Sequence, residues 1–234
     1  MPRPQPALNR PNIVGSFGRA GTIPATSAAA AAEAADLLEI RLDLMVAEGT
    51  TPERGIWSHL LDMPLLFTAR RKEEGSPIEL SHANREKLIR LAIEDAALID
   101  IEVASISEMS AVIEEMAHLG LPWVASYHDF GKLPSTAALE TAAALAGDAG
   151  AAVFKAAARV NSAADVARLA EFQAADHGLP VATMGMGPLA PVSRLLCAQY
   201  GSVLNYGYIG ETPTAPGQWS AAFLKDAVSR LTTL

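Results

Sequence analysis

Residues 123–127 read WVASY, residues 135–146 read STAALETAAALA, and residues 152–157 read AVFKAA. The outer runs are short and apolar, the length of a buried strand, while the middle stretch is rich in alanine and opens on a serine, as a capped helix does. Strand, helix and strand in this order predict a parallel pair joined by a crossover helix.

Outward from this unit the same alternation repeats. Short apolar runs occur at Asn12–Ser16, Leu37–Leu42, Pro64–Thr68, Ala97–Val103, Trp123–Tyr127, Ala152–Ala157, Pro180–Met184 and Val203–Tyr206. Helical stretches are predicted at Ser27–Ala35, Ser81–Asp95, Ser107–His118, Ser135–Ala146, Ser162–His177 and Ser220–Leu234, with weaker signals at Thr51–Leu61 and Pro191–Gln199. Serine starts and Gly stops, such as Gly120 and Gly178, punctuate them. Eight strand–helix repeats in 234 residues, with no linker-like shift in composition, predict an α/β fold, a single-domain (β/α)₈ TIM barrel over residues 1–234, with 1–11 as a flexible N-terminal extension. An open doubly wound sheet is the rival, weakened because no G-x-G-x-x-G follows the first strand.

Composition narrows the function. Half the chain is apolar, so disorder is excluded, and a net charge of −8 removes the basic footprint that nucleic-acid binding needs. No apolar run reaches the length of a membrane span, the first residues lack the zones of a signal peptide, and the single Cys197 cannot form an internal disulfide. A cytoplasmic protein with no membrane and no nucleic-acid partner is expected.

Barrel strands alternate inward and outward and carry their chemistry at the C-terminal ends, so inward polar residues are the ones to collect. Glu39, Arg41 and Asp43 share one face of the second strand; Leu66, Thr68 and Arg70 group on the third, Asp100 and Glu102 on the fourth, and Ser126 and His128 on the fifth. Lys155 sits mid-strand among alanines, where burying an ammonium is costly. It is either a Schiff-base nucleophile of depressed pKa or one half of a structural ion pair with Glu39 or Glu102. His128 is the histidine that closes a strand and is a candidate proton carrier, with Glu74 in the neighbouring loop as a possible orienting group. Arg194 could clamp an anion, the alternative being a surface arginine. Met184 and Met186 alternate at a strand end as core filler or as an apolar substrate wall. No His pair has metal-ligand spacing, so no metal is expected, and Cys197 reads as a core residue.

In chain order, Glu39-Ile-Arg41-Leu-Asp43, Phe67-Thr68-Ala-Arg70, Asp100-Ile-Glu102, Ser126-Tyr-His128-Asp-Phe130, Lys155, Ser193-Arg194 and Ala215-Pro216-Gly217-Gln218 resemble type I 3-dehydroquinate dehydratases. The resemblance runs from the second strand to the last helix, and no single motif carries it. It implies a shikimate-pathway lyase, usually a homodimer, that uses no cofactor and converts 3-dehydroquinate to 3-dehydroshikimate by loss of water. By that resemblance Lys155 is the Schiff-base lysine, His128 the general acid and base, and Glu74 its partner. Arg194 and Gln218 bind the substrate carboxylate and hydroxyls, Glu39, Arg41 and Arg70 contact ring hydroxyls, and Met186 forms a wall. Thr214 stands where the family commonly has Ser and keeps the hydroxyl. The competing readings are another Schiff-base enzyme on the same barrel, such as an aldolase, and a barrel that binds without turnover.

Overall fold

The computed structural model describes residues 3–232. Eight strands, β1 (Asn12–Phe17), β2 (Leu37–Arg41), β3 (Leu65–Thr68), β4 (Leu98–Glu102), β5 (Trp123–Asp129), β6 (Val153–Arg159), β7 (Val181–Met186) and β8 (Leu204–Ile209), lie in one parallel sheet of order β7-β6-β5-β4-β3-β2-β1-β8. The β7/β8 seam is joined where the Val203 amide donates to the Val181 carbonyl at 3.1 Å, which brings the sheet round into a nearly closed (β/α)₈ barrel. The open doubly wound alternative is thereby set aside.

The helices are α1 (Thr22–Ala25), α2 (Ala28–Ala34), α3 (Leu42–Ala47), α4 (His82–Ala92), α5 (Ser110–His118), α6 (Thr136–Asp148), α7 (Ala163–Ala174), α8 (Ala190–Gln199) and α9 (Ala221–Ser229). Five begin as the serine signals predict: Ser27, Ser81, Ser135, Ser162 and Ser220 each accept from the amide three residues on. The helices expected to reach Asp95 and His177 end three residues earlier, at Ala92 and Ala174, and three further expectations need correction. The helix expected from Ser107 starts at Ser110 with no side-chain cap, and 103–105 forms a 3₁₀ turn instead. The stretch 51–61 is two short 3₁₀ turns, because Pro52 and Gly55 interrupt it and the Trp57 indole is pinned by a 3.0 Å hydrogen bond to Asp95. The last helix ends at Ser229; positions 233 and 234 of the expected span lie outside the described residues.

The barrel interior is layered, each layer supplied by alternate strands. Val14, Leu66, Val124 and Ala182 come from the odd strands and Leu37, Leu98, Val153 and Leu204 from the even ones; together they form one apolar cluster distinct from the larger core between strands and helices. Two residues further along, the odd strands carry Ser16, Thr68, Ser126 and Met184, and the even strands carry Glu39, Asp100, Lys155 and Tyr206, all buried. The period of two thus changes the barrel from an apolar floor to a polar upper half within one step. At the lower end Leu8 packs against the inner cluster, and the Asn12 amide donates to the Ala7, Arg10 and Val203 carbonyls. Ala7, Leu8 and Arg10, within the stretch expected as a flexible extension, thus make contacts there, while Met1 and Pro2 lie outside the described residues.

Candidate active site

Lys155 is 3% exposed, and its ammonium is held 2.9 Å from Asp100 Oδ2. Register places it beside Ser126, whose hydroxyl donates to Asp100 Oδ1 at 2.6 Å. The anion facing the lysine is therefore Asp100, where the sequence pointed to Glu39 or Glu102. Asp100 is shared: Arg70 Nη1 lies 2.8 Å from its Oδ1 and 3.0 Å from Glu102 Oε1. Glu102 in turn pairs with Arg85, which reaches in from α4. Burial alone would raise the Asp100 carboxyl, but Arg70 and Lys155 hold it well below the usual carboxylate range. Burial pushes the Lys155 amine down, Asp100 pulls it back, and Arg70 adds to the lowering; the net direction is down, toward an amine able to lose its proton.

His128 ends the inward row of β5, and Glu74 stands in a 3₁₀ turn (Lys72–Glu74) of the loop after β3. Glu74 Oε2 accepts from the His128 backbone amide at 2.9 Å and lies 3.0 Å from Nδ1, so one carboxyl oxygen fixes both the strand end and the ring. Sequence could offer only loop adjacency for this contact. The turn is closed by Gly75 at φ +108°, against which the Phe130 ring packs. Burial raises the Glu74 carboxyl to about 7, and burial with Arg70 and Lys155 pushes His128 well below its ordinary value. The imidazole is thus neutral near pH 7, the state in which it can accept a proton.

Glu39, Arg41, Arg70, Met184, Met186, Arg194, Tyr206, Thr214, Ala215 and Gln218 line the same cavity as Lys155, His128 and Glu74. Every residue to which the resemblance assigns a role lines it; Asp43, Thr68, Asp100, Glu102 and Ser126, collected with them from the strand faces, do not. Their roles differ in detail, however. Glu39 accepts from Ser16 and from Thr68, so its oxygens already have partners. Arg41 is engaged with Asp43 through two bonds of 2.8 and 2.7 Å; contrary to the expectation that Asp43 shares the strand face of Glu39 and Arg41, it lies in the first turn of α3, because β2 ends at Arg41. Thr214 donates through its amide (2.8 Å) and hydroxyl (2.9 Å) to Gln218 Oε1, which leaves the Gln218 NH₂ to meet a ligand. Gly217, at φ +76°, lies so close to the Gly187 carbonyl that no side chain fits, and the Gly187 amide donates to Pro216. These contacts dock the loop after β8 on the loop after β7.

Arg194 is buried, and among the described residues the partners of its guanidinium are the Tyr206 carbonyl, 2.7 Å from Nη1, and the Met184 sulfur at 3.8 Å, with none for Nε. Burial lowers it to about 10, the mark of a desolvated cation without a counter-ion. A carboxylate entering here would supply one. The sequence puts Asp100 and Ser126 on the inward face without showing their task, and reads Tyr206 as the end of an apolar run. Lys155 Nζ stands 4.2 Å from the centre of the Tyr206 ring. The strand period, by placing Tyr206 two residues after Leu204, is the signal that could have found it.

Similarity to known proteins agrees with this geometry. The Type I 3-dehydroquinase family profile matches residues 22–234. A 3-dehydroquinate dehydratase of Haloquadratum walsbyi is 33% identical over 228 residues, covering 91% of each chain. A crystal structure of 3-dehydroquinate dehydratase from Geobacillus kaustophilus superposes with a TM-score of 0.79 at 26% identity, covering 94% of this chain and 90% of that one. The type I 3-dehydroquinate dehydratase of Clostridium difficile, solved with covalent modified comenic acid, gives a TM-score of 0.76 at 25% identity, covering 94% and 92%.

Proposed function

The chain belongs to the Type I 3-dehydroquinase family and catalyses its hydro-lyase reaction, the dehydration of 3-dehydroquinate; from that premise we propose that Lys155 carries the reaction as a covalent imine, with His128 moving the protons. The observation that carries this reading is the buried Lys155 amine facing one cavity with the His128–Glu74 pair. The covalently modified ligand in the Clostridium difficile relative supports a covalent route.

The unprotonated Lys155 nitrogen adds to the substrate ketone, and the carbinolamine loses water to leave an iminium. That cation draws electrons from the adjacent C–H bond, so a neutral imidazole suffices as base. His128 takes the proton, with Glu74 compensating the imidazolium through Nδ1. The resulting enamine pushes out the β-hydroxyl, which leaves as water with the proton returned by His128. Water then hydrolyses the iminium, releasing 3-dehydroshikimate and free Lys155. Arg194 and Gln218 receive the carboxylate and hydroxyls, Glu39, Arg41, Arg70 and Thr214 set the polar frame of the ring, and Met186 walls it. No metal or cofactor enters this route. A homodimer working in the cytoplasm completes the proposal; among the described residues, no helix is long and apolar enough to cross a membrane.

Mixing the protein with 3-dehydroquinate and following the ultraviolet absorbance of the conjugated enone tests the reaction, and borohydride trapping tests the imine. Lys155→Ala is expected to abolish both signals, whereas His128→Ala retains trapping and loses turnover by about 10²–10⁴-fold. Full trapping in Lys155→Ala would move the nucleophile elsewhere.

A further inference from the structure

Among the described residues, three buried side-chain polar atoms have no hydrogen-bond partner: Arg194 Nε, Ser202 Oγ and Tyr206 Oη. Ser202 lies before β8, at the floor of the barrel, and does not reach the active-site cavity. Arg194 and Tyr206 both line that cavity, and the Tyr206 carbonyl is the anchor of the Arg194 guanidinium. A buried donor without a partner, on a residue that lines a cavity, is the pattern left when a ligand is the missing partner.

Tyr206 is 4% exposed, packed among the inner apolar side chains with Met184 and Leu204. A phenylalanine would fill the same space without a hydroxyl stripped of water, so packing gives no reason for the oxygen. Burial, then Glu39 and Asp100, push the phenol well above its ordinary value, so it remains an O–H donor throughout the working pH range. Its ring face, meanwhile, is turned to the Lys155 nitrogen at 4.2 Å, within the range at which a ring attracts a cation.

We propose that Tyr206 is a substrate-binding residue whose hydroxyl donates to an oxygen of the bound oxygen-rich carboxylate, while its ring face supports the positive charge on the Lys155 nitrogen. The ring serves the nitrogen twice, as ammonium in the free enzyme and as iminium in the adduct; this half rests on the imine reading above. The hydroxyl serves only the ligand. Its lack of a partner in the free protein is therefore a cost to stability that binding removes, and this sets it apart from a structural tyrosine.

The experiment compares the full-length enzyme with Tyr206→Phe and Tyr206→Leu. It measures ligand-free melting, steady-state kinetics with 3-dehydroquinate, and the pH dependence of borohydride trapping. Tyr206→Phe is expected to melt about 2–4 °C higher without ligand, because an unpaired buried hydroxyl is gone. Its KM is expected to rise about two- to tenfold, with kcat and the trapping midpoint unchanged. Tyr206→Leu also loses the ring, so its trapping midpoint moves to lower pH by about one unit, the ammonium having lost support. A Phe variant with unchanged KM overturns the role of the hydroxyl whatever its melting temperature, and an unmoved midpoint in the Leu variant overturns the role of the ring. Absence of any trapped adduct in the unmodified enzyme would instead overturn the imine, and the KM and melting comparison would still judge the hydroxyl.

Discussion

Asp100 stands between Lys155 and Arg70, one oxygen 2.9 Å from the lysine nitrogen and the other 2.8 Å from the guanidinium. A single buried carboxylate therefore both neutralises the nucleophile and ties it to the Arg70–Glu102–Arg85 chain that runs outward to α4. Removing the charge while keeping the shape, as in Asp100→Asn, leaves two buried cations short of an anion. A loss of about 3–5 kcal/mol in stability is expected from urea unfolding, and the Lys155 trapping midpoint should fall with it. A variant as stable as the parent would show that the bridge is energetically idle.

Glu74 and His128 oppose one another in the dependence of stability on pH. The Glu74 carboxyl is raised from 4.5 to about 7, so the folded chain holds the extra proton; that contribution is full below pH 4.5 and lost as pH rises through about 7. His128 is lowered from 6.5, so its contribution is full above pH 6.5 and lost as pH falls toward its folded value. Glu74→Gln removes only the first. Unfolding curves from pH 5 to 8 should show the variant gaining about 1–3 kcal/mol on the parent as pH rises. Its kcat is expected to fall by on the order of tenfold to a hundredfold for want of a counter-charge to the imidazolium. Parallel stability curves would mean that this carboxyl ionises normally.

Arg194 has lost water without gaining an anion, and the two halves of that statement separate in Arg194→Met. Kinetics should show KM raised about 10- to 100-fold, the worth of a charged hydrogen bond, with a much smaller change in kcat. Thermal melting should show the ligand-free variant more stable by about 1–2 kcal/mol, since a desolvated cation is replaced by a side chain that suits the Met184–Met186 wall.

Gly75 lies at φ +108°, and a methyl group there would stand 2.7 Å from the tip of the Phe130 ring. Gly75→Ala should destabilise the chain by about 1–3 kcal/mol and lower kcat by moving Glu74 off His128. Adding Phe130→Ala should recover the part due to crowding and leave the part due to the backbone. No recovery in melting or kcat would assign the whole effect to the backbone.

Strand and helix alternation, the five serine caps, and the inward placement of Glu39, Arg70, Asp100, His128 and Lys155 were all legible from the chain. Each follows from a local period or from a side chain bonding three residues away. The residues that proved hardest to read were those whose role depends on two strands at once. The chain shows that Lys155 needs a partner and points to Glu39 or Glu102, whereas the structure supplies Asp100. Tyr206 looked like one more apolar strand residue, because its ring is apolar and only its neighbours show what the hydroxyl lacks.

The sequence by itself determined which residues alternate toward the barrel axis, since a strand repeats every two residues whatever surrounds it. It could not determine which of them stand at one height. That depends on the tilt and stagger of eight strands closing on one another, a property of the whole ring. Closure is what set Asp100 against Lys155, folded the loop carrying Glu74 onto His128, and left Arg194 and Tyr206 with donors that no other described residue satisfies.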